Sequence, residues 1–226
     1  MKLSNKILIG FFGFVFLYLT AAFAELRLTG TPNFIDEKNS IAESVDISGI
    51  THLVFNDLDK EVQIRASDSS VLQVRSLSGG ILKRLKYRIS KDMLTISALE
   101  SQDVKNMKIT IFVPSASLKA ITASSCRLTI NGLQQDALIL SQTDAKVWMS
   151  DNTIGKIQSD LIQDSFLSIN SPGVNTLSLN LKDSEMEVWS PVRLVEGSMK
   201  NKSSLRLTQI EEITLKKDVT STLSIY

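Results

Sequence analysis

From residue 125 onward, apolar and polar residues alternate in short bursts of one design. Each burst is a small or polar pair followed by apolar-x-apolar. The copies are Ser125-Cys126-Arg127-Leu128-Thr129-Ile130, Asp144-Ala145-Lys146-Val147-Trp148-Met149, Asp164-Ser165-Phe166-Leu167-Ser168-Ile169 and Asp183-Ser184-Glu185-Met186-Glu187-Val188. Weaker copies are Lys202-Ser203-Ser204-Leu205-Arg206-Leu207 and Thr220-Ser221-Thr222-Leu223-Ser224-Ile225. The first apolar residues sit at 128, 147, 167, 186, 205 and 223, at intervals of 19, 20, 19, 19 and 18. Period-two alternation predicts strands with one buried face. A small-apolar-apolar column, such as Cys126/Leu128/Ile130 and Ala145/Val147/Met149, points inward.

Turn residues follow most copies: Asn131-Gly132, Asp151-Asn152, Asn170-Ser171-Pro172 and Ser190-Pro191. Further strand-like pieces lie between them at Leu138–Leu140, Leu177–Leu181 and Ile213–Leu215, and none has a helical period. A fixed repeat of this size marks stacked units. The fold class expected is all-β, a right-handed parallel β-helix (solenoid) of about 19-residue rungs. The alternative is an antiparallel β-sandwich with one hairpin per repeat. That arrangement supplies no reason for the same inward column in every copy.

Residues 45–117 alternate less regularly. They predict strands at His52–Phe55, Val62–Ala66, Val71–Arg75 and Met107–Val113, and a hairpin from Leu85–Ile89 and Met93–Ser97. The solenoid domain is thus residues 45–226, with irregular N-terminal rungs at 45–117 and regular repeats at 118–226. Residues 25–44 read as a polar lead-in.

The chain begins differently. Lys2 and Lys6 precede 18 uncharged residues, Ile7 to Ala24. Residues 1–24 read either as a signal peptide cleaved at Ala22-Phe23-Ala24 or as a single-span membrane anchor. Both place the remainder outside the cytoplasm, in the periplasm, on a membrane tether or at the cell surface. If uncleaved, this segment makes the membrane a partner.

Composition narrows the chemistry. The 226 residues are 43% hydrophobic and 22% charged, with a formal net charge of +1, which fits a folded chain. Near-neutral charge without a long basic run argues against nucleic-acid binding. One Cys and one His exclude an internal disulfide and a Cys/His zinc site. No cofactor motif is present.

The run Lys108-Ile109-Thr110-Ile111-Phe112-Val113-Pro114-Ser115-Ala116-Ser117-Leu118-Lys119-Ala120-Ile121, followed by Ser124-Ser125, resembles a passage of the head-GIN-domain family. That passage reads V-x-V-x-V-P-x-L-x-x-L and then S-G-S-G. Leu94-Thr95-Ile96 is similar to the family's preceding strand. The likeness covers residues 45–226. It implies an exported or membrane-tethered β-solenoid of the Bacteroidetes type, in a family labelled auto-transporter adhesins by inference. It carries over no catalytic residues. The family's glycines are replaced here by Ser124, Ser125 and Cys126.

Asp144, Asp164 and Asp183 share one column, so stacking would place them about 5 Å apart. Such carboxylates repel unless a cation or proton intervenes, as in a Ca²⁺ site or the paired acids of a polysaccharide-cleaving β-helix. The plainer reading is corner acids bonding nearby backbone N–H groups, with Lys202 relieving the repulsion. Trp148 and Phe166 point outward on adjacent rungs, and Trp189 lies at the turn after its strand. These three are the candidates for binding a partner protein or glycan.

Glu187 and Arg206 share an outward column as a surface ion pair. Cys126 reads as a buried inert thiol and His52 as a structural histidine. Lys83-Arg84-x-Lys86-x-Arg88 is a local basic cluster that reads first as a solvated edge, with anionic lipid or polysaccharide as its possible contacts. The expected function is a non-enzymatic envelope or surface module, adhesin-like toward protein or glycan. The alternative is a polysaccharide lyase or hydrolase using the Asp column. No inserted loops build groove walls for such an enzyme.

Overall fold

The computed structural model describes residues 3–29, 39–99 and 107–226. The chain divides into two compact units, residues 1–34 and 35–226. In the first, helix α1 spans Leu3–Thr29. Its regular backbone runs past the expected boundary at residue 24. Among its residues with described side chains, 10–25, no stretch is long and apolar enough to cross a membrane. Phe14 and Phe16 on this helix are each 70% exposed.

The second unit opens with β1 (Ile41–Asp46), β2 (His52–Asn56), β3 (Glu61–Ala66) and β4 (Val71–Ser76). A short 3-10 turn, Leu82–Arg84, leads into β5 (Leu85–Ser90), β6 (Met93–Leu99) and β7 (Met107–Val113). β1 begins inside the stretch expected to be an irregular lead-in. Its sequence, Ile-Ala-Glu-Ser-Val-Asp, hides the strand because β1 is an edge, paired among the described residues only with β4. Polar residues are tolerated along such an edge.

The repeats follow as six turns of two strands each. They are β8 (Ala120–Ser124) with β9 (Arg127–Asn131), β10 (Gln134–Thr143) with β11 (Lys146–Ser150), and β12 (Thr153–Ile162) with β13 (Phe166–Asn170). The remaining turns are β14 (Thr176–Lys182) with β15 (Glu185–Val188), β16 (Val192–Lys200) with β17 (Ser204–Leu207), and β18 (Ile210–Lys217) with β19 (Thr222–Ile225). The odd-numbered strands from β9 onward form one end of a ten-stranded first sheet. The even-numbered ones belong to a nine-stranded second sheet. Every ladder from β8 to β19 is parallel and steps by one turn, as in Val147↔Leu167↔Met186↔Leu205. The solenoid is therefore correct, and the sandwich alternative is overturned by the strand direction. Among the described residues, antiparallel pairing is confined to β1–β4, β4–β7 and β5–β6.

The order of rungs departs from the order of the chain. β2 lies between β6 and β8, and β3 lies between β7 and β9. The rung formed first in the chain is thus inserted between two later ones. An alternating pattern reports which face of a strand is buried, and not which strand it stacks upon.

The inward column is as expected. Leu128, Val147, Leu167, Met186 and Leu205 are all 0% exposed. In the final turn the column opens, and Ile225 is 50% exposed. The corner before each first-sheet strand from β9 to β17 needs a left-handed residue. Ser125, Asp144, Asp164, Asp183 and Lys202 supply it, with φ from 47° to 62°. The single interval of 20 has a local cause: Gln163 is an extra left-handed residue at that corner (φ 54°). The insertion is absorbed in the turn, so the inward register survives.

The small inward residue also has a chemical role. Ser165 and Ser203 hydroxyls each donate back to the carbonyl three residues earlier, Ile162 O and Lys200 O, at 2.6 Å. At the opposite corner a buried polar ladder runs through Asn152, Ser171 and Ser190. Asn152 is 0% exposed. Its Oδ1 accepts from Leu133 N–H at 3.0 Å, and its Nδ2 donates to Ile130 O at 3.0 Å and Ser171 Oγ at 3.1 Å. Ser190 Oγ donates to Ser171 O at 2.9 Å. Removing the amide orphans two buried backbone groups, each costing about 1–3 kcal/mol. Asn152→Ala is expected to lower stability by about 2–3 kcal/mol, read from the urea midpoint. An unchanged midpoint would show that the ladder is dispensable.

One interior position behaves oppositely. Gln142 is 2% exposed, and neither amide atom finds a partner among the described residues. It aligns with Leu161 in the next turn. Gln142→Leu is expected to raise stability by about 1–2 kcal/mol, because a desolvated amide is replaced by the side chain its neighbour already carries. A lower urea midpoint would contradict this.

Candidate functional site

Outward positions of the first sheet stack as regularly as inward ones. Trp148 aligns with Ser168, and Lys146 aligns with Phe166. Trp148 and Phe166 are therefore diagonal neighbours, with ring centroids 5.9 Å apart at a tilt of 54°. Tilted aromatic pairs at this range are mutually attractive. Trp148 remains 36% exposed. The pair floors a shallow surface depression of ≈ 700 Å³, whose rim includes Lys146, Asp164, Asp183, Lys202 and Arg206. Arg206 is held on one side of it, paired with Glu187 and, at 3.2 Å, with Glu185. The expected Glu187–Arg206 pair is present, and Glu185 joins it.

Trp189 is 49% exposed but takes no part in lining the depression. It follows β15 at the far corner, where its N–H donates to Ile169 O at 2.8 Å. The three aromatics are thus a pair and an outlier. The charged rim was not anticipated for the aromatics. Its signal was available in the outward columns, which place Lys146, Phe166 and Glu185 in one line.

The Asp column lies on left-handed corners. Asp144 Oδ2 accepts from Ser125 Oγ at 3.2 Å. Asp164 and Asp183 carboxylates have no donor among the described residues, and no group there with three His, Cys, Asp or Glu could hold a metal ion. A corner acid that does bond several backbone N–H groups is Asp218, outside the column. Its Oδ2 accepts from Asn201 N–H at 2.8 Å, and its Oδ1 from Ser221 N–H at 2.9 Å and Ser221 Oγ at 2.7 Å. These bonds, led by Asn201 N–H, hold its carboxyl well below the usual carboxylate range. The Asp-x-Thr-Ser pattern at 218–221 is the signal that could have found it.

His52 has neighbours that the sequence did not reveal. Asp92, at the β5–β6 turn, places Oδ2 3.1 Å from His52 Nδ1. Thr51 Oγ1 is 2.8 Å from the same nitrogen and donates to Asp92 Oδ2 at 2.9 Å. Hydroxyl, imidazole and carboxylate meet, but at one ring nitrogen. A relay for nucleophilic attack needs the hydroxyl on one nitrogen and the acid on the other. This cluster ties β2 to the hairpin instead. Cys126 is 5% exposed, and burial pushes its thiol up to about 12. A thiol held there is protonated and unreactive at neutral pH.

No family model matches the chain, and no curated protein matches it. Solved structures do. A candidate adhesin from Bacteroides fragilis superposes with a TM-score of 0.57 at 12% identity, covering 84% of this chain and 98% of that one. A candidate adhesin from Parabacteroides merdae gives a TM-score of 0.46 at 9% identity, covering 84% and 97%. A cell-adhesion candidate from Clostridium sporogenes gives 0.33 at 12%, covering 82% and 97%. The first of these likenesses extends to the fold, and this chain is a β-solenoid of that kind.

Proposed function

We propose that this protein is a non-enzymatic, exported surface module of the head-GIN type that binds a protein or glycan through the outer face of its first sheet. The Trp148–Phe166 pair, floored in a charged-rimmed depression on a rigid parallel stack, carries this reading. A pre-formed flat face binds with little ordering cost. An aromatic floor with a rim of both charges suits a sugar ring flanked by hydroxyls, or a mixed-charge protein surface. The solenoid shared with a candidate adhesin supports the same reading at the level of fold.

A glycan array and a pull-down with surface extracts test it, using wild type and the Trp148→Ala/Phe166→Ser variant. Binding that is lost in the variant supports the reading. Ligands that bind both proteins equally would move the site elsewhere on the molecule.

The polysaccharide-cleaving alternative places Asp164 and Asp183 at the rim of the same depression. It needs two acids converging on a bond within a groove. Here the acids sit on separate corners of an open face. Left-handed backbone accepts Asn as readily as Asp. The triple variant Asp144→Asn, Asp164→Asn, Asp183→Asn is therefore expected to fold and melt as wild type, with no calcium-dependent shift in either protein. A calcium-dependent rise in melting temperature that disappears in the variant would make the column a metal site.

A further inference from the structure

The N-terminal end of the solenoid is built unlike its flanks. β1 terminates the first sheet and β5 terminates the second. The two edges meet at this end: Glu43 Oε2 accepts from the N–H groups of Ile81 and Leu82, at 2.8 and 3.2 Å, at the entry to the 3-10 turn. The segment from the end of β4 through β5 is one-sided in charge. From Arg75 to Lys91 there are six basic residues, Arg75, Lys83, Arg84, Lys86, Arg88 and Lys91, and no acidic one. Lys83, Arg84, Lys86 and Arg88 are all exposed. None of these four forms an ion pair among the described residues.

Basic residues on an edge strand have a structural use, since they discourage edge-to-edge pairing. That use does not account for the apolar residues exposed among them. Ile41 is 52% exposed, Ile89 42% and Met93 40%. Cations interleaved with exposed aliphatic side chains are the chemistry of an interfacial membrane contact. The cations attract anionic headgroups while the apolar side chains enter the acyl boundary. The last turn also exposes apolar residues, Val219 and Ile225, but there Lys216 and Lys217 are balanced by Glu211, Glu212 and Asp218, whereas in the cap Asp92 follows the basic run rather than interrupting it.

We propose that this N-terminal cap is a docking face for an anionic lipid bilayer. The polypeptide enters the solenoid at β1, at this same end, from the residues that follow the apolar N-terminal segment. A weak apolar insertion and a polybasic patch on neighbouring parts of one chain reinforce each other, as two-signal anchoring requires. In this arrangement the aromatic pair is held off the bilayer. Trp148 on β11 lies five strands from β1 in its sheet, roughly 24 Å at the inter-strand spacing.

Every residue of the buried core cluster among the described residues lies between Ile47 and Leu207, so residues 39–226 are expected to fold without the helix, which circular dichroism of the fragment checks first. That fragment allows the cap to be tested apart from the apolar segment. Co-sedimentation is measured with vesicles of phosphatidylcholine alone and with about 30% phosphatidylglycerol. The fragment is expected to bind the anionic vesicles, to release them as salt screens the contact, and to ignore the neutral ones. Each basic residue near an anionic surface contributes about fivefold in affinity. The variant Lys83→Gln, Arg84→Gln, Lys86→Gln, Arg88→Gln is expected to lose binding by about two orders of magnitude or more. A charge-matched control, Lys182→Gln, Arg193→Gln, Lys200→Gln, Lys216→Gln, at four exposed positions of the later turns, is expected to bind within a few-fold of wild type.

Equal binding to neutral vesicles, or an unaffected cap variant, would overturn the proposal. So would a control variant that weakens as much as the cap variant. Dimerisation through the cap, or capture of a soluble anionic polysaccharide, in either case without vesicle binding, would assign the patch to another partner and reject the lipid.

Discussion

Leu167→Asp is expected to leave no folded solenoid. Leu167 is 0% exposed, at the centre of an inward column flanked by Val147 and Met186 on adjacent turns. Aspartate there places a carboxylate, or its protonated form, among aliphatic side chains with no donor in reach. Burying an ionised group unpaired costs many kcal/mol, and the protonated form still forfeits its hydration and the leucine's burial. The sum exceeds the ~5–15 kcal/mol that holds a typical domain, or leaves little of it. Circular dichroism and a thermal melt check this. A melting temperature within a degree of wild type would mean that residue 167 is not inward, and the whole column assignment would fall with it. The neighbouring outward change Ser168→Asp serves as the control, with little effect.

Gly197→Ala is expected to cost on the order of 4 kcal/mol or more, the range reserved for backbone that cannot yield. Gly197 is in β16 with φ 138°, a conformation that L residues rarely adopt. A Cβ there would fall 1.8 Å from Leu179 O, which is main chain in the adjacent turn. A flexible side chain could move aside, whereas this carbonyl belongs to the ladder that joins β14 to β16. Gly155→Ala is the graded comparison. Its Cβ would fall 2.9 Å from Asp136 O, and the loss is expected to be smaller. Purified variants compared by urea denaturation give both numbers. A Gly197→Ala midpoint at or above that of Gly155→Ala would show that the turn relaxes freely.

These two substitutions differ in how they could be foreseen. Leu167 announces itself, because its repeat position is apolar in every copy. Gly197 does not. It lies in β16, a segment that the alternating pattern did not mark as a strand, along with β12. β12 carries a buried polar residue, Ser159, where an aliphatic run was sought, and β16 breaks its alternation at the exposed Gly197. The Asn152–Ser171–Ser190 ladder was visible as turn chemistry but not as an interior. Asn and Ser at a corner look the same in sequence whether they face water or bond to the turn below. His52 shows the same limit. Its partners Thr51 and Asp92 include one 40 residues away in the chain, brought in by the β5–β6 hairpin.

Binding chemistry was legible to a different degree. The aromatics were readable as outward by parity alone, and Trp148 and Phe166 do meet. Their separation from Trp189 depends on position along the strand. Trp189 aligns beyond Val188, at the far corner, while Phe166 begins its strand. Likewise the basic run at 83–88 was plain in the sequence, but its exposure beside Ile41 and Met93 required two sheet edges to meet at one end.

The repeat by itself determined the coiled, parallel architecture, the inward column and the outward parity. Those properties follow from local periodicity, and each turn repeats the same local problem. The tertiary structure alone decided the stacking order, with β2 and β3 inserted between later strands, the partners of buried polar groups, and the mixture of charges and apolar side chains on each surface. Those depend on contacts between residues distant in the chain, which periodicity does not encode.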